Sequence, residues 1–173
     1  RSKVMGMDEV FVHLVEKYYM KGDAYWLDST ALAKYEDRAK KIAPNVLGNL
    51  APEVVMQDVW TLKDVSNLSV PAKYTLMIFW SRECGHCVKE MPQVDSVYRA
   101  KLKDKGVKIF SVSTEGDLSD IQKTIEKLKI TEWTNVVDAQ NKPGYRSKYD
   151  VYTTPKIYLL DADKKIIGKG LDH

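Results

Sequence analysis

The two cysteines of this 173-residue chain lie three positions apart, in the tetrad Cys84-Gly85-His86-Cys87. Two thiols at this spacing can form a disulfide with each other and exchange it with a disulfide in another molecule. The redox-active Cys84–Cys87 disulfide is the only redox group that the sequence predicts, and no separate cofactor is expected.

The segments on either side of the tetrad place Cys84 at the beginning of a helix. The apolar run at 74–80 is typical of a buried strand, and apolar residues at 88, 91, 94, 98 and 102 follow at helical spacing. The helix dipole and the free N–H groups of the first turn would stabilise a Cys84 thiolate. We therefore expect Cys84 to attack a substrate disulfide, and Cys87, one turn inside the helix, to resolve the mixed disulfide.

Composition and charge exclude several other classes of protein. The net charge is +3, from 27 basic and 24 acidic residues spread along the chain, so no nucleic-acid partner is predicted. Two cysteines are too few for a disulfide scaffold or a structural zinc site, and no metal is expected. A structural Cys84–Cys87 bridge is a weaker alternative, because so short a loop hardly restricts the unfolded chain.

The sequence shows no membrane span or targeting segment. No apolar stretch approaches the roughly 18 residues that cross a bilayer. The first residues lack the charged and apolar regions of a signal peptide, and a start at Arg1 without methionine leads us to expect a processed or trimmed chain.

Prolines and glycines near residues 44–52 divide the chain into a helical segment, residues 1–45, and a larger domain, residues 46–173. Two helices are predicted in the first part, the second capped within 28–30. Their predicted apolar faces are Val10, Phe11, Leu14, Val15 and Tyr18, then Leu32, Tyr35, Ala39 and Ile42. Two helices cannot bury an independent core, so they either pack on the following domain or are the remnant of a larger helical domain.

Strand and helix patterns alternate from residue 53 onward. Strands are predicted at 54–60, 74–80, 107–113, 134–137 and 156–160, the last forming a hairpin with 165–167. A polar turn region is expected up to residue 67 and a short helix at 142–149. A further helix begins at Asp117 or Ser119 and presents Ile121, Ile125 and Leu128 on one face. A βαβ series closed by a hairpin predicts an α/β fold with a mixed central sheet.

Three features in this order resemble the thioredoxin fold over roughly residues 50–170: the strand–CxxC–helix junction that begins at Phe79, Pro92 within the helix, and Thr154-Pro155 before a strand. More narrowly, the chain resembles the bacterial periplasmic thiol–disulfide oxidoreductases related to the cytochrome-c maturation reductases. Its helical segment resembles the domain that precedes such modules in Bacteroidetes-type proteins. The resemblance implies a thioredoxin-like three-layer sandwich preceded by a short helical segment.

The resemblance also implies partners and a location. The partners are protein disulfide substrates and a redox-recycling partner. The location is the periplasm or cell envelope, which is compatible with a membrane tether in the full-length protein. Whether the enzyme acts as a reductase or an isomerase depends on redox potentials that a sequence does not contain.

Several residues take supporting roles by this resemblance. The Thr154–Pro155 bond would be cis and lie against the CxxC, with the Thr154 backbone pairing with the substrate as an added strand; the alternative is an ordinary loop proline. The His86 imidazole would favour the Cys84 thiolate, unless it is a solvent-exposed histidine without influence. Trp80 is either the floor beneath the disulfide or a core residue only. Gly85 completes the tetrad.

The sequence departs from the family pattern at two positions. Glu83 stands where an aromatic residue usually precedes the first cysteine, and Ile78 replaces the buried acid of thioredoxins. Proton transfer to and from Cys87 must therefore use another group or water. Glu115 falls near an active-site glutamate of the reductases, although an ordinary surface glutamate is the interpretation we favour from sequence.

The sequence as a whole predicts a thiol–disulfide oxidoreductase that acts on protein disulfides. Two alternatives share the fold. One is a redox-inactive binding module. The other is a thiol peroxidase, which would need a Pro-x-x-x-Thr-x-x-Cys motif that residues 81–84 do not complete.

Overall fold

The computed structural model describes residues 5–115, 117–138 and 144–171. Its α-helices are α1 (Met7–Lys17), α2 (Ser29–Ile42), α3 (Gly85–Val97), α4 (Leu118–Leu128) and α5 (Tyr145–Lys148). Its strands are β1 (Val55–Asp58), β2 (Asp64–Ser66), β3 (Tyr74–Trp80), β4 (Val107–Ser113), β5 (Thr134–Val137), β6 (Lys156–Leu160) and β7 (Ile166–Lys169). Short 3-10 turns lie at Tyr19–Lys21, Ala43–Asn45, Asn67–Ser69 and Lys103–Lys105, and a π-helical turn at Tyr98–Leu102 extends α3.

The strands form one mixed sheet in the order β2-β1-β5-β4-β3-β6-β7. β3 runs parallel to β4 and antiparallel to β6, so that Leu76 lies between Ile109 and Leu159. β4 and β5 are also parallel, whereas β1 and β7 join the sheet as antiparallel strands. The mixed α/β sheet that the sequence predicts is therefore confirmed.

The alternation of side chains along β3 divides the core into two clusters. Ile78 and Trp80 belong to the cluster that contains the buried residues of α3 and α4. Met77 and Phe79 belong to the other, which contains Tyr145 of α5. Since successive strand residues point to opposite faces, helices cover the sheet on both sides, which gives the predicted three layers.

The edge of the sheet differs from the sequence-based prediction. The sequence predicts a turn region up to residue 67, but the structure contains β2 there, which pairs with β1 from Val55↔Ser66 to Gln57↔Asp64. This strand has only three residues, with Val65 as its one apolar member, so it is too short for an alternating pattern to be recognised. The helix predicted at 142–149 is present as α5; residues 139–143 lie outside the described residues.

The two N-terminal helices pack together through aromatic rings. Asp28 caps α2 by accepting the N–H of Ala31 at 2.8 Å. The ring of Tyr35 lies 6.2 Å from that of Phe11 and 5.7 Å from that of Tyr19, measured between centroids. Tyr35, one residue of the predicted stripe of α2, therefore contacts α1.

The predicted apolar face of α1 is wrong in part. Val10, Leu14 and Tyr18 are 40–47% exposed, whereas Val12 and Val15 are buried. The helix carries two apolar stripes of the same period, and packing on α2 and the sheet domain buries the stripe with residues 12 and 15.

Polar contacts join the helical segment to the sheet domain. Lys169 of β7 forms an ion pair with Asp8 of α1, with 2.8 Å between Nζ and Oδ2. The Asn45 side-chain amide donates to the carbonyl of Lys148 at 2.9 Å. These contacts hold the helices against the following domain, while the division of the chain between residues 45 and 46 stays a prediction. Within the described ranges, no helix has the length and apolar character of a membrane span.

Candidate active site

Cys84 is the N-cap residue of α3, in the connection that leaves the end of β3. Its Sγ accepts the backbone N–H of Cys87 at 3.3 Å, which is the contact an N-cap side chain makes with the free donors of a first helical turn. Cys84 is half-buried and Cys87 is buried, and both thiols are free. One sulfur is therefore accessible to a second molecule and the other is sheltered behind it.

The surroundings of the two thiols move their pKa values in opposite directions. Burial opposes ionisation of Cys84, but hydrogen bonds from the Cys87 thiol and N–H, the Thr154 side chain and the His86 backbone N–H outweigh it and lower the pKa of Cys84. Burial, followed by the hydrogen bond with Cys84, raises the pKa of Cys87 to about 12. The thiolate of this pair is therefore carried by Cys84.

The Thr154–Pro155 peptide bond is cis, as the resemblance implies, and it faces the dithiol. The Sγ of Cys84 lies 3.4 Å from the carbonyl oxygen of Thr154. Thr154 and Pro155 are half-buried, and the two residues before them are exposed. The fold thus brings together two sequence-predicted segments that are 70 residues apart.

Trp80 lies in the apolar cluster behind the cysteines. Its ring is buried, its indole N–H donates to the Ser111 hydroxyl at 2.8 Å, and it shares a cluster with Cys87, against which Cys84 packs. Gly85 is exposed, and a Cβ added to it would meet no atom within 4 Å. Trp80 is therefore a core residue beside Cys87, while its role as the floor beneath the disulfide stays a prediction. At position 85, no neighbouring atom requires glycine.

His86 contacts the dithiol and a carboxylate through different atoms. Its backbone N–H faces the Cys84 sulfur, while its imidazole Nε2 lies 2.5 Å from the Glu90 carboxylate. The His86 side chain is 68% exposed and that of Glu90 only 9%. Sequence reasoning did not select Glu90, although its position three residues after Cys87 places it on the same helix face.

Glu115 reaches the site through Ser81. The carboxylate of Glu115 accepts a hydrogen bond from the hydroxyl of the buried Ser81. The backbone of Ser81 contacts both cysteines: its carbonyl accepts the N–H of Cys84 at 3.2 Å, and its N–H faces the Cys87 sulfur. Glu115 is itself exposed, so its carboxylate touches the residue that supports the dithiol and not the sulfurs.

The structure shows where Ile78 and Glu83, the two residues that depart from the family pattern, lie. Ile78 is fully buried in the apolar cluster around Cys87, so β3 supplies no acid there. Glu83 projects outward and forms an ion pair with Arg82, 3.3 Å between Nε and Oε1, and Arg82 in turn pairs with Asp120 of α4. Among the residues that the structure describes, no group of three His, Cys, Asp or Glu side chains is arranged to hold a metal ion.

A mixed sheet with a dithiol at a helix N-terminus, opposite a cis-proline, defines the class of thioredoxin-fold thiol–disulfide oxidoreductases. The AhpC/TSA family model matches residues 47–169, and the chain belongs to this family.

Several proteins similar to this chain are named thiol-disulfide oxidoreductases. Thiol-disulfide oxidoreductase ResA from Bacillus thuringiensis is 32% identical over 123 residues, 70% of this chain and 67% of that protein. The thioredoxin domain of a thiol-disulfide oxidoreductase from Bacteroides vulgatus has a TM-score of 0.67 and 32% identity, over 74% of this chain and 90% of that one. The predicted function is confirmed: the chain is a thiol–disulfide oxidoreductase.

One solved structure also overlaps the helical segment. A thioredoxin-like protein from Bacteroides caccae covers 95% of this chain and 58% of its own, with a TM-score of 0.78 and 19% identity. At this identity the likeness concerns the fold alone.

Proposed function

We propose that this chain exchanges disulfides with protein substrates, with Cys84 as the nucleophile and Cys87 as the resolving thiol. The observation that carries the proposal is the asymmetry of the pair. Cys84 is accessible at the N-terminus of α3, with a lowered pKa, and lies 3.4 Å from the Thr154 carbonyl. Cys87 is buried, and its pKa is raised.

The exchange has two steps. The Cys84 thiolate attacks one sulfur of a substrate disulfide, so that a mixed disulfide forms and the other substrate sulfur leaves as a thiolate. Cys87 then loses its proton and attacks the Cys84 sulfur, which forms the Cys84–Cys87 disulfide and releases the second substrate thiolate. Two electrons pass to the substrate, and its two thiolates take up two protons, one from Cys87 and one from solvent.

The second step needs a group that accepts the Cys87 proton, because burial keeps that thiol protonated. Glu90 is a buried carboxylate on the same helix face, and its partner His86 is exposed to solvent. We assign proton transfer to this pair, with Glu90, three residues after Cys87 on α3, as the proton acceptor and the exposed His86 as the link to solvent. The backbone N–H of His86 stabilises the Cys84 thiolate separately.

Two further residues support the dithiol without touching substrate sulfur. Glu115 accepts the Ser81 hydroxyl and so holds the backbone that contacts both cysteines. Trp80 packs behind Cys87 and fixes the floor of the site. Both are assigned as positioning residues.

The Thr154 backbone is assigned to substrate binding, where an extended substrate chain would add as a strand beside the cis-proline. The natural partners are then protein disulfides and a second thiol protein that returns the dithiol to its starting state. An oxidising compartment suits this chemistry, so we assign the periplasm or cell envelope. Labelling of Cys84 in intact cells by a membrane-impermeant maleimide would test that location.

The experiment that tests the proposal is the reduction of insulin by the dithiol-reduced protein. The wild type should reduce insulin, Cys84→Ser should not, and Cys87→Ser should accumulate a mixed disulfide with the substrate, visible on a non-reducing gel. Unchanged activity of Cys84→Ser would refute the assignment. The reduction potential of the Cys84–Cys87 pair decides the direction of exchange: a potential near that of thioredoxin, about −270 mV, indicates a reductase, and a more oxidising one an isomerase or oxidase.

A further inference from the structure

The chain between α5 and β6 forms a loop whose two ends are joined by a buried ion pair. The Nζ of Lys156 lies 3.2 Å from Oδ2 of Asp150, and the two side chains are 8% and 4% exposed. Between them, residues 152–153 are exposed and Thr154 contacts Cys84. A buried charge is costly unless it is paired, so this ion pair holds the two ends of the loop together below the cis-proline.

A third charged group, from the helical segment, completes this cluster. Both terminal nitrogens of the Arg38 guanidinium on α2 contact the Asp150 carboxylate, with 2.9 Å between Nη2 and Oδ2. Such a bidentate contact fixes the orientation of the carboxylate as well as its distance. Asp150 also has a φ of 52°, in the left-handed region that aspartate adopts more readily than most other residues except glycine.

The same helix also contacts the exposed part of the loop. Lys41, one turn beyond Arg38, places its Nζ 5.9 Å from the ring centroid of Tyr152. Tyr152 is 59% exposed and lies two residues before Thr154. The helix α2 therefore contacts the loop at Asp150, where the loop begins, and at the exposed Tyr152.

We propose that Arg38 is a positioning residue for disulfide exchange with protein substrates. By holding the Asp150 carboxylate, whose Oδ2 also contacts Lys156, it fixes the loop 150–156 and with it the Thr154 backbone beside Cys84. The proposal rests on the substrate-binding role assigned above to Thr154. A protein substrate must align its backbone with this loop before its disulfide meets Cys84, whereas a small disulfide needs only the sulfur.

The test compares two variants that each remove one cation linking the helical segment to the sheet domain. Arg38→Met breaks the contact with Asp150, which keeps Lys156 as a partner, so no buried charge is left alone. Lys169→Met breaks the 2.8 Å ion pair with Asp8 and touches neither end of the loop. For each variant, kcat and KM are measured with insulin and with a small aromatic disulfide, together with the pH profile of Cys84 alkylation.

Arg38→Met should raise KM for insulin by about three- to tenfold, the factor that corresponds to the net contribution of one ordinary hydrogen bond, since Lys156 still holds the Asp150 carboxylate. Its kcat for insulin, its rate with the small disulfide and its alkylation profile should stay within about twofold of wild type, since the dithiol is untouched. Lys169→Met should match wild type in every measurement. Equal KM values for the two variants would overturn the proposal.

A milder variant decides the question if Arg38→Met does not fold. Arg38→Lys keeps the charge but lacks the planar pair of donors, so it should give an intermediate rise in KM for insulin; a KM equal to wild type overturns the proposal. The same measurements also distinguish a failure of the proposed disulfide exchange from a failure of the positioning role of Arg38. A wild-type protein that reduces neither disulfide contradicts the thiol chemistry, whereas normal wild-type activity with an unchanged Arg38→Met contradicts the positioning role alone.

Discussion

The opposite pKa shifts of the two thiols predict a large difference in their reaction with an alkylating agent. The thiolate is the species that reacts with iodoacetamide. In the folded, reduced protein the pKa of Cys84 is lowered below 9.0, and that of Cys87 is raised to about 12 by burial. The perturbation is a change of pH, and the observable is the rate at which each cysteine is labelled.

The size of the difference follows from these values. At pH 8, roughly 1 in 10,000 Cys87 side chains is a thiolate, against about 1 in 10 or more for Cys84, a ratio of at least about 1,000. The more basic thiolate is intrinsically more nucleophilic. With a Brønsted coefficient of about 0.45, a difference of about three pKa units makes the Cys87 thiolate roughly 20-fold more reactive than the Cys84 thiolate. Cys84 should still react about 50-fold faster, and the complete burial of Cys87 increases the ratio further.

The assay is brief alkylation from pH 6 to 11, followed by mass spectrometry of the labelled peptides. The Cys84 rate should level off at a lower pH in the folded protein than in urea, while the Cys87 rate should still rise about tenfold per pH unit toward pH 12. In urea both thiols should titrate near 8.5 and react at similar rates, which is the matched control. Equal rates in the folded protein, or a Cys84 rate that still climbs at pH 10, would refute the reasoning.

Other predictions concern stability and local geometry. Asn67→Ala removes a side chain that accepts a backbone N–H at 2.7 Å and donates to a tyrosine hydroxyl at 3.0 Å inside the core; urea unfolding should show a loss of about 2 to 4 kcal/mol. Val12→Ala should cost about 1 to 2 kcal/mol and Val10→Ala less than about 0.5, because only Val12 is buried. Gly85→Ala should leave insulin reduction within about twofold, since the added Cβ meets open space. The raised pKa of Cys87 favours its protonated form in the fold, so the Tm of the reduced protein, corrected with Cys87→Ala, should lose that contribution as pH rises from 9 toward 12.

Elements with a strong local pattern could be predicted closely from the sequence. The bounds of β3 and β4 agree with the predicted 74–80 and 107–113, because both strands are continuous apolar runs. Asp117 caps α4 by accepting the N–H of Ser119, and the predicted face of that helix is buried. In these segments the spacing of apolar residues and the capping side chain decide the structure, and both are visible in the sequence.

Elements that depend on a partner could not be predicted in the same way. The three-residue strand β2 exists through its hydrogen bonds to β1, and α1 buries Val12 and Val15 because of the surface that it meets. Neither element has a decisive local pattern, since a tripeptide with one apolar residue and a helix with two apolar stripes are each compatible with more than one packing.

The active site also combines features that are local in the sequence with contacts that depend on the fold. The dithiol of Cys84 and Cys87 at a strand–helix junction could be inferred from the sequence, because a three-residue spacing and the apolar patterns on either side of it are local features. The contact of Thr154 with Cys84 and that of Arg38 with Asp150 depend on the tertiary structure. Each joins residues from separate elements that are far apart in the sequence, so it exists only when the whole chain is packed.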